Sequence, residues 1–454
     1  MLRSRLRGLR RSLGANALAK IAAGFALIIL LGSLLLSLPC ATLRRESIGW
    51  FDALFTSTYA VCVTGLVVRD TGTTFSLFGQ IVLLCLIEVG GLGFMTFATL
   101  MFRLIGREIS LQERMLIRES MNESGLGGME LLIRWVARSA FTVQIAGALA
   151  LSVRFVPLYG PAKGLFYSLF HAVSAFCNAG FDLFGGYSSL TRFRGDVWIN
   201  LTVMLLVVVG GLGFGVLRDI VRRRKRRYLH LQTRLVLATY GALLLFGWGF
   251  VLLAEWNNPG TLGPLPAGEK LLAALFQSVT LRTAGFNTIN QQALRPATKL
   301  ISAMMMLIGA SPASTGGGVK VTTVAVLFLA VWMTARGREN IVVFRRSVSN
   351  ALVRRALAVL VIAMGVALTD VVVISLLQPE LEFMDVVMEC CSAMGTVGVS
   401  AFGSASLNTL SRVLIIATMY LGRIGPLTMA LAFARRQGAN RTGVEYPNGQ
   451  IMIG

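Results

Sequence analysis

The chain has 454 residues, 55% of them apolar and only 14% charged, with a mean hydropathy of +0.70. A soluble domain carries about 25% charged residues, so the composition excludes an ordinary soluble protein and indicates an integral membrane protein. The net charge of +22 suggests nucleic acid until its placement along the chain is considered.

Residues 1–14 hold Arg3, Arg5, Arg7, Arg10 and Arg11 and precede an apolar stretch at 21–42. That stretch exceeds the roughly 7–15 apolar residues of a signal peptide, so it is expected to be a retained first helix. Further apolar stretches follow at 71–102 (holding Glu88), 139–153, 197–217, 235–254, 301–335 (broken), 356–377 (holding Asp370) and 413–434 (holding Arg423). Each approaches the roughly 20 residues that about 30 Å of hydrocarbon requires, giving eight expected spans. Basic groups recur after every second span, over 103–138, 218–234, 336–355 and 435–441, and include the run from Arg222 to Arg227. This is the positive-inside pattern, which places both termini and the three intervening basic loops in the cytoplasm. It suits contact with anionic membrane lipid and requires no nucleic acid.

Four short segments interrupt the spans: Val63-Thr64-Gly65, Asn178-Ala179-Gly180, Thr283-Ala284-Gly285 and Thr396-Val397-Gly398. Their glycines stand 115, 105 and 113 residues apart. Upstream of each lies a pair of apolar residues four apart: Phe51 and Phe55, Phe166 and Phe170, Leu271 and Leu275, Met384 and Met388. Such a pair shares one helical face, which predicts a short helix that enters the membrane and stops. Non-helical chain at that depth is tolerated only where it is buried in protein or lines a cavity. The predicted fold is therefore an all-α integral membrane protein. Four tandem repeats of span, re-entrant pore helix and span (eight transmembrane helices, four pore loops) would surround one pseudo-fourfold ion pore. The boundaries are a basic N-terminus at 1–14, repeats at 15–105, 106–220, 221–345 and 346–434, and a cytoplasmic tail at 435–454.

A monovalent cation sheds water only when oxygen ligands replace it, and main-chain carbonyls do so without adding charge. Aiming successive carbonyls inward needs unusual dihedrals, and glycine reaches positive φ without a Cβ penalty. Leu66, Phe181, Phe286 and Val399, which directly follow the glycines, would pack behind the carbonyls.

Each repeat also carries a small-residue cluster in its second span. Gly90-Gly91-Leu92-Gly93 and Gly210-Gly211-Leu212-Gly213 are expected to let helices approach closely, and Gly422-Arg423-Ile424-Gly425-Pro426 holds an arginine. The third, from Gly309 through Ser311, Pro312, Ser314, Thr315, Gly316, Gly317 and Gly318 to Lys320, cannot remain one regular helix. A broken helix at membrane depth normally faces a cavity, so this segment is either a gate or ion-handling loop or a packing kink. Arg423 in an apolar span costs about 2.5–3.5 kcal/mol. It is either a gate residue that repels cations or the partner of Glu88 or Asp219. Asp52, Asp385 and Glu389 are expected at external ends of pore segments, where they either concentrate cations or are merely solvated. Asp370 is expected to pair within the bundle. The six cysteines have no C-x-x-C spacing and the two histidines, His171 and His230, stand apart. No grouping of acid, base, nucleophile and metal ligands suggests an enzyme.

Taken in order, the four glycine segments, the Ser311–Lys320 loop, the Gly422–Pro426 cluster and the tail motif Tyr446-Pro447-Asn448-Gly449 resemble the membrane subunit of the Trk/Ktr/HKT superfamily of potassium transporters, the Ktr type above all. The resemblance covers nearly the whole chain. It implies potassium uptake across the cytoplasmic membrane, a selectivity filter made by the four segments, and Gly65 favouring potassium where sodium-preferring relatives have serine. It further implies that the loop and Arg423 form an intramembrane gate, that chains pair as homodimers, and that a cytoplasmic nucleotide-binding regulatory ring (KtrA/TrkA-like) controls them. Potassium is then the substrate ion, sodium a candidate activator, and no covalent cofactor is expected. The alternative is a symporter obligatorily coupled to sodium or protons. Cys62 departs from the threonine that close relatives carry.

Overall fold

The computed structural model describes residues 20–93, 129–222, 229–338, 341–344 and 346–425. The expected basic N-terminus, the tail with Tyr446 to Gly449, Pro426, and most of the arginine run at 222–227 lie outside them. Within them the chain forms α1 (Lys20–Leu36), α2 (Trp50–Cys62), α3 (Thr71–Thr74), α4 (Leu77–Leu92), α5 (Met129–Tyr159), α6 (Pro161–Phe176), α7 (Val197–Leu212) and α8 (Phe214–Arg222). There follow α9 (Leu231–Glu255), α10 (Ala267–Thr280), α11 (Pro296–Leu307), α12 (Val321–Ala335), a hairpin of β1 (Ile341–Val343) and β2 (Arg346–Val348), α13 (Asn350–Leu377), α14 (Phe383–Gly395) and α15 (Thr409–Ile424). The hairpin strands are antiparallel, with Val342 opposite Ser347.

Local chemistry sets several helix starts. Ser76, Asp196 and Asn408 accept hydrogen bonds from the amides of Gly79, Ile199 and Ser411 at the N-termini of α4, α7 and α15, supplying acceptors to otherwise unpaired donors. Gly160 and Pro161 open α6; a proline at the first helical position gives up an amide that would have no partner there.

The four helices that lead into the glycine segments, α2, α6, α10 and α14, have 13, 16, 14 and 13 residues. At about 1.5 Å per residue a 13-residue helix reaches only about 20 Å, short of a bilayer. Their inner faces, including Phe55, Tyr59, Phe170, Phe176, Val386 and Cys390, form the centre of the main hydrophobic core. Outward-facing leucines and valines are bare: Leu253 is 86% exposed and Leu376 77%. In water such surface would be unfavourable; against lipid it is not.

Among the described residues, which begin at 20 and leave out 94–102 and 426–434, not every expected span is one long helix. The 133–159 part of α5, α9 and α13 are each long and apolar enough to cross a membrane, and α7 with α8 qualifies only as a pair bent by 99°. The remaining expected spans correspond to shorter apolar helices, α1, α4, the broken pair α11 and α12, and to the 16 residues of α15. The reason lies in the glycine clusters. Close packing is present: a Cβ on Gly90, Gly210 or Gly422 would strike the carbonyl of Val61, Phe176 or Met394. The same clusters also end the helices, because Gly93, Gly213 and Gly425 are their C-caps with φ of 83°, 87° and 97°. A helix end at the cluster, expected only in the third repeat, is therefore found in every repeat: α4, α7 and α15 stop at Gly93, Gly213 and Gly425, and α11 stops ahead of its loop.

Candidate ion pathway and its lower closure

Each of the four short helices stops in the same way. The residue two before the glycine is left-handed, with φ of 55° at Val63, 59° at Asn178, 69° at Thr283 and 52° at Thr396. Non-glycine residues rarely enter that region, at a cost of roughly 1–2 kcal/mol each. The glycines repeat the conformation at 88°, 68°, 81° and 91°. Left-handed, ordinary, left-handed is the alternation that turns successive carbonyls to one side. Amides brace the turn: those of Thr64, Ala179 and Val397 donate to the carbonyls of Tyr59, Ser174 and Ser392 at 2.8–2.9 Å. Hydroxyls brace it from behind. Ser174 and Thr280 donate to the carbonyls of Phe181 and Phe286, and Ser392 accepts from the amide of Gly398. Leu66, Phe181, Phe286 and Val399 are all fully buried, and Phe181 stacks on Tyr59 with centroids 4.3 Å apart.

The four segments meet in a closed cycle. A Cβ on Gly65 would lie 2.8 Å from the carbonyl oxygen of Ala179, one on Gly180 2.9 Å from that of Ala284, and one on Gly285 2.7 Å from that of Val397. One on Gly398 would collide with the carbonyl of Thr64. Each glycine thus faces the carbonyl of the next segment, and the fourth returns to the first.

A cavity of about 510 Å³ opens beside the ring, lined by all four glycines and by Asp70 and Asp182 among others. Burial pushes the Asp182 carboxyl up to about 7, against the pull of the Phe184 amide and with the Asp70 charge adding to the rise. Asp70 is committed to the amide and hydroxyl of Thr73 and the amide of Tyr187. These two acids, not the expected trio, face the cavity. Asp52 is held by Arg69 at 2.7 Å and Arg412 at 3.1 Å. Asp385 is buried against Lys299 at 2.5 Å, and Glu389 is fully buried and accepts from Ser404. The sequence placed the trio by proximity to helix starts, which carries no information about long-range partners. Asp370 accepts a hydrogen bond from Thr418 of α15 within the bundle.

Beneath the ring, the segment from Gly309 to Lys320 leaves α11 and folds back on itself: Gly309 donates to the Val319 carbonyl and Val319 to that of Leu307. Ser311 and Thr315 donate to the carbonyls of Gly211 and Gly210, Phe214 donates to that of Ala313, and Gly318 to that of Gly422. The Pro312 carbonyl lies where a Cβ on Gly213 would fall, and Ser314 donates to Ser311. Lys320 closes the loop through the carbonyls of Gly316 and Gly317. The loop abuts the ring's lower residues. A Cβ on Gly316 or Gly317 would strike the hydroxyl of Thr283 or Thr396, and the Gly317 amide donates to Thr396 Oγ1 at 3.0 Å.

Arg423 donates to the carbonyl of Thr315 in this loop and to those of Gly90 and Gly91 at the end of α4. Its expected alternative partners are engaged elsewhere. Glu88 accepts from Gln144 and Cys177, and Asp219 from the His230 amide. The guanidinium is thus a strut between the loop and the first repeat. Of the residues expected at the gate, Arg423 is thus joined to the Gly309–Lys320 loop through Thr315. Sequence reasoning overlooked Arg282, which is fully buried one residue before Thr283.

The sequence profile of the TrkH family, described as cation transport protein, matches residues 22–442. The chain is 41% identical to the Ktr system potassium uptake protein B of Bacillus subtilis over 436 residues, 96% of each chain. It is 36% identical to the potassium/sodium uptake protein NtpJ of Enterococcus hirae, again over 96% of both. In fold it matches the crystal structure of the potassium transporter TrkH from Vibrio parahaemolyticus, with a TM-score of 0.67 over 90% of this chain and 84% of that one, at 18% identity. The membrane protein described by these helices therefore belongs to the TrkH cation-transport family and is a subunit of the Ktr type.

Proposed function

We propose that this chain takes up potassium across the cytoplasmic membrane through a pore on the axis of the four glycine segments, which act as its selectivity filter. The observation that carries the reading is the closed cycle in which Gly65, Gly180, Gly285 and Gly398 each face a neighbouring carbonyl. Such a ring replaces the hydration shell of a monovalent cation with neutral oxygens, so the ion binds and still leaves. Each repeat contributes a crossing, a re-entrant helix, a filter strand and a second, interrupted crossing, with both termini cytoplasmic. The Gly309–Lys320 loop and Arg423 are the gate: the loop sits against Thr283 and Thr396, and the arginine adds a positive charge that opposes cations in its neighbourhood. The Bacillus relative is named as one protein of a Ktr system, which supports a further component, and the proposal extends to a homodimer carrying a cytoplasmic nucleotide-binding ring.

The test is rubidium uptake into liposomes holding the purified chain, driven by a potassium gradient and potential alone, with sodium as competitor. Uptake that excludes sodium is expected, and Gly65→Ser is expected to erode that exclusion. A Gly65→Ser chain with full discrimination would sink the filter assignment. The name of the Enterococcus relative, a potassium/sodium uptake protein, keeps a coupled mechanism in view; flux that stops without sodium or protons would establish it. Arg423→Ala is expected to raise flux, and unchanged flux would remove the gate role.

A further inference from the structure

Arg282 is the largest fully buried side chain in the described structure, and no acid lies opposite it among the described residues. Its guanidinium is directed instead at the end of α11. Nη1 donates to the Ile308 carbonyl at 2.9 Å and Nη2 to the Met305 carbonyl at 2.6 Å, while Nε has no hydrogen-bond partner.

The location explains the choice of residue. A helix that stops leaves its last carbonyls unpaired and carries a partial negative charge at its C-terminus. When the stop is buried at membrane depth, no water repays those groups. At α11 the Leu307 carbonyl is met by the Val319 amide, and Arg282 meets two of its neighbours, the carbonyls of Met305 and Ile308. A guanidinium fits because its planar fork offers two donors and a charge that complements the helix end. The chain links the same residue to two other parts. Ile308 is the last residue before the closing loop. Arg282 immediately precedes Thr283, whose hydroxyl donates to the side-chain oxygen of Asn178 at 3.0 Å and lies where a Cβ on Gly316 would fall. One guanidinium thus joins the base of the third filter strand to the upstream root of the loop.

We propose that Arg282 is the positioning residue that seats the Gly309–Lys320 loop, by holding the severed end of α11 to the base of the third strand. It touches no permeating ion; it acts through the carbonyls of Met305 and Ile308. The inference rests on the gate reading of the loop given above. Loss of the guanidinium leaves those carbonyls unpaired and loosens the loop's root. The closed arrangement is then disfavoured while the carbonyl ring keeps its own bracing from Ser174, Thr280 and Ser392.

The experiment compares rubidium flux into liposomes for wild type, Arg282→Gln, Arg282→Lys and Arg423→Ala, each purified as the full chain and checked for monodispersity. Arg282→Gln is expected to raise initial flux about tenfold, the scale of one charge-assisted hydrogen bond. Its rubidium-over-sodium preference and its half-saturating rubidium concentration stay as in wild type. Arg282→Lys, which keeps the charge but not the fork, falls between the two. A merely structural role would lower flux and protein yield together. Monodisperse Arg282→Gln with wild-type flux overturns the proposal, as does raised flux with lost preference, which would mean a damaged filter. If Arg282→Gln does not fold, Arg282→Lys decides: flux above wild type supports the seat, and wild-type flux overturns it. Arg423→Ala separates the two readings. Unchanged flux there removes the gate itself, whereas raised flux there with no effect at position 282 removes only the role of Arg282.

Discussion

At the ring, Val63, Asn178, Thr283 and Thr396 adopt one left-handed backbone although a valine, an asparagine and two threonines supply it. One layer below, the repeats diverge. The first and second end their helices at Gly93 and Gly213, the third extends a twelve-residue loop, and the fourth supplies Arg423. The upper layer recruits carbonyls, which every residue owns, so fourfold likeness survives with different side chains. The lower layer depends on particular side chains and insertions, so likeness is lost there. Equivalence in this molecule is a property of the backbone, and control is a property of what departs from it.

The largest effect expected on this comparison comes from Gly398→Ala. It combines left-handed strain with a collision against the Thr64 carbonyl, at least about 3 kcal/mol together, and rubidium uptake should drop about 100-fold. Retained uptake would mean that the cycle of carbonyls is not the conducting element. Next is the buried pair that fixes the intact half of the broken element: Lys299 of α11 lies 2.5 Å from Asp385 of α14. Asp385→Asn should destabilise the chain by about 3 kcal/mol or more, read as a lowered unfolding midpoint in detergent, and Lys299→Met with Asp385→Leu should recover most of it. A smaller effect is expected from Thr396→Val, which removes the acceptor of the Gly317 amide. At about 1 kcal/mol this should raise flux roughly fivefold without changing sodium exclusion.

Smaller still is a pH effect at the mouth. The Asp182 carboxyl is raised to about 7, so it gains a proton as pH falls through that value and the mouth loses negative charge. Half-saturating rubidium should therefore increase about threefold between pH 8 and pH 6, and Asp182→Asn should flatten the profile at its low-pH level. The smallest effect is expected at Gly93→Ala. Its φ of 83° matches the ring glycines, but no described residue lies within 4 Å of the added carbon. Strain of about 1 kcal/mol should appear in the melting temperature and leave uptake intact, setting strain alone against strain plus ring geometry.

Much of the upper layer was legible in the sequence because its signals are local. The paired apolar residues four apart mark α2, α6, α10 and α14, and the glycines mark the turns. The left-handed residues two before them were not legible, since a β-branched Val63 or Thr396 argues against that backbone and only the surrounding packing imposes it. The clusters ending at Gly93 and Gly213 are equally ambiguous. A glycine that lets helices touch and one that caps a helix read alike, and here adjacent glycines do both. The loop from Gly309 to Lys320 was visible from Pro312 and the triple glycine. The seat at Arg282 and the strut at Arg423 were harder, because their acceptors are main-chain carbonyls far along the chain, and carbonyls leave no mark in sequence. The same distance effect misled the assignment of mouth acids: Asp52 found Arg412 across 360 residues.

The cycle of carbonyls is closed by a single covalent chain. In a pore made of four identical subunits any substitution is copied four times, so the ring can be altered only in whole steps. Here a codon changes one quadrant and leaves three as they were. With the ring as the proposed filter, affinity and selectivity are then adjustable in quarter increments, and a mutation too disruptive in four copies is survivable in one. Asn178 and Arg282, each without a counterpart in the other quadrants, are what such independent adjustment leaves behind.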